Sequence, residues 1–389
     1  MIYLMIIALM LNLNMTVYFF EIPYQVIEIG GSQMVVSMLS VIHSIVYVLI
    51  AGIYSNMKPS PLNSIRKIKI LLVCLVGIYT ISCFIQNYHF YYILILLHGI
   101  CLGFFWPIFW SGFYGDSTSK PLLLSTTFIC VNAANAVGPS VAGLLYDFCG
   151  KYILLILSLV IVLLLFFHKQ LNAVFSTNNV KVIGISQKSK TYKFGVRNII
   201  TKKDWIKLIF FCWLTVFLTG YLEGIIRSAA AIYFLKYEIG SNSWGSMQSL
   251  KLLFQSLIVI WIRYHGEALT ALLNTKRKIL LCFGILAMGS GIMVIYSSVP
   301  ILCIGMSLIG IASGLIYFVN MYVGIQATEV LGKNLNGIAE SVIGIGILIS
   351  SLVSGLISGN PFRMLTLLSL VAIITVSIGF RKEIWEKIS

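Results

Sequence analysis

Acidic residues are nearly missing from this chain: 12 Asp and Glu stand against 27 Lys and Arg in 389 residues. Charged residues of both signs make up only 10%, where globular domains carry about 25%. A chain so poor in charge is not a water-soluble domain. Catalytic signatures are missing too. There is no HExxH, which excludes the common zinc hydrolase, and no G-x-S-x-G nucleophile elbow. There is no GxxxxGK[ST] loop, so the chain has no nucleotide site to drive a pump. The eight cysteines, at 74, 83, 101, 130, 149, 212, 282 and 303, form no CxxC pair. They lie in or beside apolar runs and read as small packing residues, not as a disulfide frame or zinc site. No enzyme activity, cofactor or metal is expected. The N-terminus has no basic region, and the first charge is Glu21, so residues 1–20 read as a spanning helix and not as a cleaved leader.

What is present is oil. Apolar residues make up 59% and the mean hydropathy is +0.97. Apolar runs of 18 or more residues recur, each long enough to cross about 30 Å of hydrocarbon as a helix. Because the runs are continuous and not alternating, helices are expected and barrel strands are not. The spans fall at 2–22, 33–54, 68–86, 91–113, 121–146 and 151–168, then at 206–232, 243–264, 278–297, 300–323, 334–358 and 361–380. The division is an N-terminal six-helix bundle over 1–168, a connector over 169–205, a C-terminal six-helix bundle over 206–380 and a tail over 381–389. Nine basic residues crowd between Lys169 and Lys207, with Asp204 the one acid among them.

The net charge of +15 does not imply nucleic acid, because the cations sit in short loops of one parity. With the N-terminus in the cytoplasm, 22 Lys and Arg fall on the inner side and only Lys151, Lys236 and Arg363 on the outer. This asymmetry is the positive-inside signature and predicts a multi-pass protein with both termini cytoplasmic. A monomer in the plasma membrane is expected.

The two halves also echo each other. Glu28-Ile29-Gly30 and Glu238-Ile239-Gly240 are 210 positions apart, as are Ser64-Ile65-Arg66-Lys67 and Asn274-Thr275-Lys276-Arg277. Gly99 and Gly103 match Gly310 and Gly314 at 211, and Ala142-Gly143 matches Ser354-Gly355 at 212. Four matches in order predict a six-helix unit duplicated in parallel orientation.

Gly138-Pro139-Ser140-Val141-Ala142-Gly143 lies in the fifth span. Gly138, Pro139 and Gly143 would let that helix bend and approach a neighbour closely. Twelve spans in two repeats, a basic central connector and this Gly-Pro stretch resemble the major facilitator superfamily over essentially the whole chain. The Gly-Pro stretch is similar to the fifth-helix motif of that superfamily's antiporters, with Ala142 where a glycine is usual. The loop after the second helix departs from the family's Gly-x-x-x-Asp-Arg-x-Gly-Arg pattern. Gly52 is present, but Asn56 stands where the acid would be, and Arg66 and Lys67 come late, after Pro59 and Pro61. The resemblance implies a twelve-helix, all-α membrane fold with alternating access to a central cavity. Helices 1, 4, 7 and 10 would line that cavity.

Ionisable groups within helices are costly and mark functional positions. Glu223 and Arg227, four apart on the seventh helix, share a face and can pair. The expectation is that Glu223 takes up a proton and releases Arg227 to bind or gate. Lys251 sits deep in the eighth helix with Gln248 and Gln255 close to the same face, and reads as a cavity-facing cation. Glu340 reads as a group near the cytoplasmic gate or wetted by the interface, Glu21 as a solvated helix end, and His43 and His98 as satisfied core residues. Asn14 and Tyr18 on the first helix, Trp106 and Trp110 on the fourth, Asn132 and Asn135 on the fifth, and Tyr317 and Asn320 on the tenth are further cavity candidates.

The expected function is secondary active transport of a small organic solute, coupled to protons, with efflux by antiport ahead. The rival readings are uptake of an organic anion by symport and a transporter-like receptor that moves nothing.

Overall fold

A computed structural model describes residues 2–55, 61–111, 120–166, 202–264, 276–331, 335–356 and 359–379. The first half contains α1 (Ile2–Glu28), α2 (Gln33–Ser55), α3 (Pro61–Ser82), α4 (His89–Ser111), α5 (Lys120–Cys149) and α6 (Ile153–Phe166). The second opens with α7, a composite of Lys202–Ile225, a π-helical turn Ile226–Ala230 and a final α-helical piece Ala231–Leu235. It continues with α8 (Ser241–Tyr264), α9 (Lys276–Ile295), α10 (Val299–Leu331), α11 (Leu335–Leu356) and α12 (Phe362–Gly379). These twelve helices match the twelve expected spans, with ends shifted by a few residues. Most of the connector, the tail and Asn56 lie outside the described residues.

Why helices form is a matter of backbone supply. In hydrocarbon every N–H and C=O must be satisfied within the segment, and an apolar run without water can do that only as a helix. Many hydroxyls are absorbed in the same way. Ser44, Ser82, Ser158, Ser256 and Ser290 each donate to the carbonyl four residues back, at 2.8–2.9 Å. Among the described residues four helices are long and apolar enough to cross a membrane, over Gln33–Ile53, His89–Trp106, Ile129–Tyr146 and Val299–Ile316. The apolar side chains left on the outside form a lipid-facing coat, with Phe148, Leu356 and Ile295 among the most exposed.

The helix pairings repeat between halves. Within the first, α1 packs on α5, α2 on α4, and α3 on α6 and α4. Within the second, α7 packs on α11, α8 on α10, and α9 on α12 and α10. The halves meet along two seams, α2 with α11 and α5 with α8, which exchange under the same shift of six in helix number. Two pseudo-symmetric six-helix bundles are therefore present.

Glycine contacts give the internal register. A Cβ on Gly99 would meet the carbonyl of His43, and one on Gly103 would meet Ile50 and the carbonyl of Tyr47. A Cβ on Gly310 would meet the carbonyl of Lys251, and one on Gly314 would meet the carbonyl of Gln255 and Ile258. Thus α4 rides on α2 as α10 rides on α8, and His43 takes in its bundle the place of Lys251. From His43 to Lys251 the offset is 208, not the 210 read from Glu28-Ile29-Gly30. The positive backbone φ falls at Gly30 (85°) in one turn and at Glu238 (60°) in the other, again 208 apart. The tripeptide match is out of register by two residues.

Candidate functional site

A cavity of about 170 Å³ lies between the two bundles. The first half lines it with Met15, Thr16, Phe19, Phe20 and Pro23 of α1 and Val131, Asn132 and Asn135 of α5. The second contributes Thr219, Glu223 and Arg227 of α7, Trp244, Gln248, Lys251 and Gln255 of α8, and others.

The charged groups do not pair as their spacing predicts. Glu223 forms its ion pair with Lys251 of α8, which is 1% exposed against 26% for the acid. Arg227 instead lays its guanidinium over the ring of Phe19 on α1, 4.4 Å from the centroid. The π turn beginning at Ile226 explains the difference: it adds a residue to the turn and carries Arg227 round toward α1. Among the described residues no carboxylate lies within salt-bridge distance of Arg227.

Neutral polar groups complete the lining. Gln255 Nε2 donates to Asn132 Oδ1 across the two halves at 3.1 Å. Thr16 Oγ1 donates to Asn135 Oδ1 at 2.8 Å, tying α1 to α5. Gln248 is buried beside them.

The α5–α8 seam is built by small residues. A Cβ on Gly245 would strike the Pro139 carbonyl, and one on Gly143 would lie 2.6 Å from the Ser241 carbonyl. Gly138 faces Thr16. Helix α5 continues through Pro139, and the next N–H, that of Ser140, is taken up by Ser249 Oγ of α8 at 2.9 Å. The stretch from Gly138 to Gly143 therefore brings helices together. At the same end of the molecule Gln33 Nε2 of α2 donates to the Ser354 carbonyl of α11 at 3.1 Å, and Tyr146 donates to Glu28 at 2.5 Å.

Several sequence candidates stand elsewhere. Asn14 and Tyr18 are buried but absent from the lining, because α1 turns residues 15, 16, 19, 20 and 23 toward the cavity. Tyr18 packs instead on Tyr79 and His98, with ring centroids 5.0 and 4.7 Å away. Trp106 is buried on α4, none of whose described side chains is in the lining. Gly52 lies on the α2–α11 seam, where an added Cβ would be 3.9 Å from Ser341 Oγ. Arg66 and Lys67 are exposed near the start of α3. The side chains of Trp110, Tyr317, Asn320 and Glu340 lie outside the described residues.

Two expectations need correction. Glu21 is fully buried, not solvated, because α1 runs on through Pro23 to Glu28 and leaves it two turns inside. One of its oxygens accepts from Gln25 Nε2 at 2.8 Å, and Tyr91 in turn donates to Gln25. His43 and His98 are not fully satisfied core residues. Their rings lie 5.3 Å apart, His98 Nε2 meets Tyr79 OH at 3.3 Å, and His43 Nε2 and His98 Nδ1 have no partner among the described residues. Both rings meet Phe19 edge-on, behind the face that carries Arg227. Phe19, Thr219 and Trp244 are lining residues that sequence reasoning missed, since an aromatic or threonine in an apolar helix carries no signal of which face it takes. Among the described residues no three of His, Cys, Asp and Glu cluster as a metal would need.

The fold is that of the major facilitator superfamily. Solved structures with which it superposes include a mutant form of the nucleoside transporter NupG, at TM-score 0.68 and 10% identity, covering 98% of this chain and 99% of that one. A bacterial homologue of the iron transporter ferroportin in an inward-facing state gives 0.67 at 14% identity, covering 99% and 97%. A POT family transporter in complex with 5-aminolevulinic acid gives 0.70 at 12% identity, covering 97% and 94%. No family model matches the chain, and no curated protein matches it in sequence. Likeness at these identities defines the fold, and the chemistry of the cavity has to come from its own residues.

Proposed function

We propose that the protein is a secondary active transporter that moves a small organic solute by rocking its two six-helix bundles about the central cavity, coupled to protons at Glu223. The observation that carries this reading is the Glu223–Lys251 ion pair inside a cavity shared by both halves. A carboxylate whose partner sits on a different helix is held there only while it is charged. When Glu223 takes up a proton, the attraction to Lys251 ends, and α7 and α8 lose one of the ties between them. The pair is thus both the proton site and a conformational tie. The cation distribution in the loops supports a plasma-membrane orientation with both termini inside. The Gly138-Pro139 stretch, similar to the antiporter motif, is what favours exchange and efflux.

Counterflow tests the reading. Purified protein in proteoliposomes preloaded with a solute that raises its melting temperature should accumulate the labelled solute transiently. Glu223→Gln should keep counterflow yet lose acceleration by an imposed pH gradient. Binding without counterflow would instead make the protein a receptor.

A further inference from the structure

We propose that the transported solute is a small organic monoanion, held by Arg227 over Phe19, and that it binds cooperatively with the proton. The proposal rests on the transport reading and adds to it the substrate class and the sense of coupling. Among the described residues three ionisable side chains line the cavity: Glu223, Lys251 and Arg227. Glu223 and Lys251 neutralise each other. Arg227 has no carboxylate partner among the described residues, and it rests on the face of Phe19. The described lining therefore carries a net charge of one positive unit in a partly desolvated space. Arg227 is half-buried, and a partly desolvated cation without an ion-pair partner gains from a ligand that brings the missing negative charge. The guanidinium is the side chain best shaped for this, since its fork takes both oxygens of a carboxylate. Phe19 covers one face of the guanidinium and leaves its edge N–H groups for the ligand. The remaining lining fits the rest of a small polar molecule: the Asn132–Gln255 amide pair, Asn135, Thr16 and Gln248 offer hydrogen bonds, and Phe20 and Trp244 offer apolar surface. A cavity of about 170 Å³ suits a small solute.

The sense of coupling follows from the same three charges. Protonating Glu223 removes the one negative charge and frees Lys251, so the lining goes from one positive unit to two. Anion affinity must then rise, and by linkage the anion raises proton affinity equally. Cooperative binding is what cotransport requires. Exchange requires competition, so for an anionic solute these charges replace the exchange sense drawn from the Gly138-Pro139 stretch with cotransport. The groups facing Glu223 are Lys251 on α8 and Arg227 one turn further along α7. Behind Phe19 lie His43 on α2 and His98 on α4, both within electrostatic reach of Arg227, as is Tyr47 on α2.

The test uses the full-length protein in detergent and in proteoliposomes, with lactate and pyruvate as anionic probes and lactamide as the uncharged counterpart. Thermal shift titrations at about pH 5 and about pH 8 should give a carboxylate affinity at least about twofold higher at the lower pH, from the added positive charge, and no comparable shift with lactamide. Arg227→Gln should abolish the carboxylate shift, and Arg227→Lys should keep part of it. Glu223→Gln should bind carboxylate tightly at both pH values. Equal shifts with lactate and lactamide, no shift with either carboxylate, or an unchanged pH effect in Glu223→Gln would overturn the proposal. Counterflow separates the two readings. Arg227-dependent lactate binding without lactate counterflow leaves the anion site standing and sinks the transport reading. Counterflow of an uncharged solute alone does the reverse.

Discussion

Glu223 and Lys251 are worth more as a pair than either is worth alone. Lys251 is essentially unexposed and its partner is only partly wetted. Lys251→Met should therefore leave a partly wetted carboxylate without its counter-charge and destabilise the protein by about 1–3 kcal/mol, while Glu223→Gln combined with Lys251→Met should regain most of that. Thermal unfolding of the three variants in one detergent checks this. Glu21 makes the opposite case. It is buried, it accepts from Gln25, and no cation is paired with it among the described residues. Glu21→Gln keeps the shape and an acceptor, so stability should change by less than about 1 kcal/mol or rise, whereas Glu21→Lys should prevent folding. The ionisable residues of the site were legible in the sequence as types. Their partners were not. The (i, i+4) rule assumes an unbroken α-helix, and the π turn at Ile226–Ala230 breaks that assumption between Glu223 and Arg227. Glu21 was misread because the first span was ended at residue 22, while α1 runs on through Pro23 to Glu28.

At the level of helices, glycine decides which pairs can touch. The seam between α5 and α8 and the ride of α10 on α8 both place backbone against backbone at Gly245 and Gly310. Gly245→Leu should cost about 1–3 kcal/mol or more, since the obstacle is the Pro139 carbonyl and not a side chain that can turn away. Gly77→Ala and Gly284→Ala, with nothing within 4 Å of the added Cβ, should be silent. Melting temperatures of the three substitutions give the comparison. Number and order of helices were readable from apolar run length, because spanning hydrocarbon fixes length so tightly. The Gly99–Gly103 and Gly310–Gly314 echo was also readable, and both pairs do the same job on equivalent neighbours. The turn tripeptide echo was misleading by two residues, since a turn tolerates a slip that a packed helix does not.

For the molecule as a whole, the proposed transport cycle requires that contacts at one end of the two seams break. Gln33 on α2 and the Ser354 carbonyl on α11 mark such a contact. In a background with the natural cysteines replaced, Gln33→Cys with Ser354→Cys should cross-link readily, and the cross-link should stop counterflow until a reductant restores it. Either single cysteine should leave counterflow intact. Continued flux in the oxidised double variant would mean that this end stays shut throughout the cycle.

His43 and Lys251 occupy matching places under Gly99 and Gly310. The two places are equivalent between the bundles, yet one carries an imidazole and the other an ammonium group. Among the described residues, every ionised group lining the cavity belongs to the second bundle, and the first supplies amides, aromatics and leverage. A hybrid joining this second half to a foreign first half of the same architecture should therefore inherit this protein's preference for cargo, while its turnover follows the donor of the first.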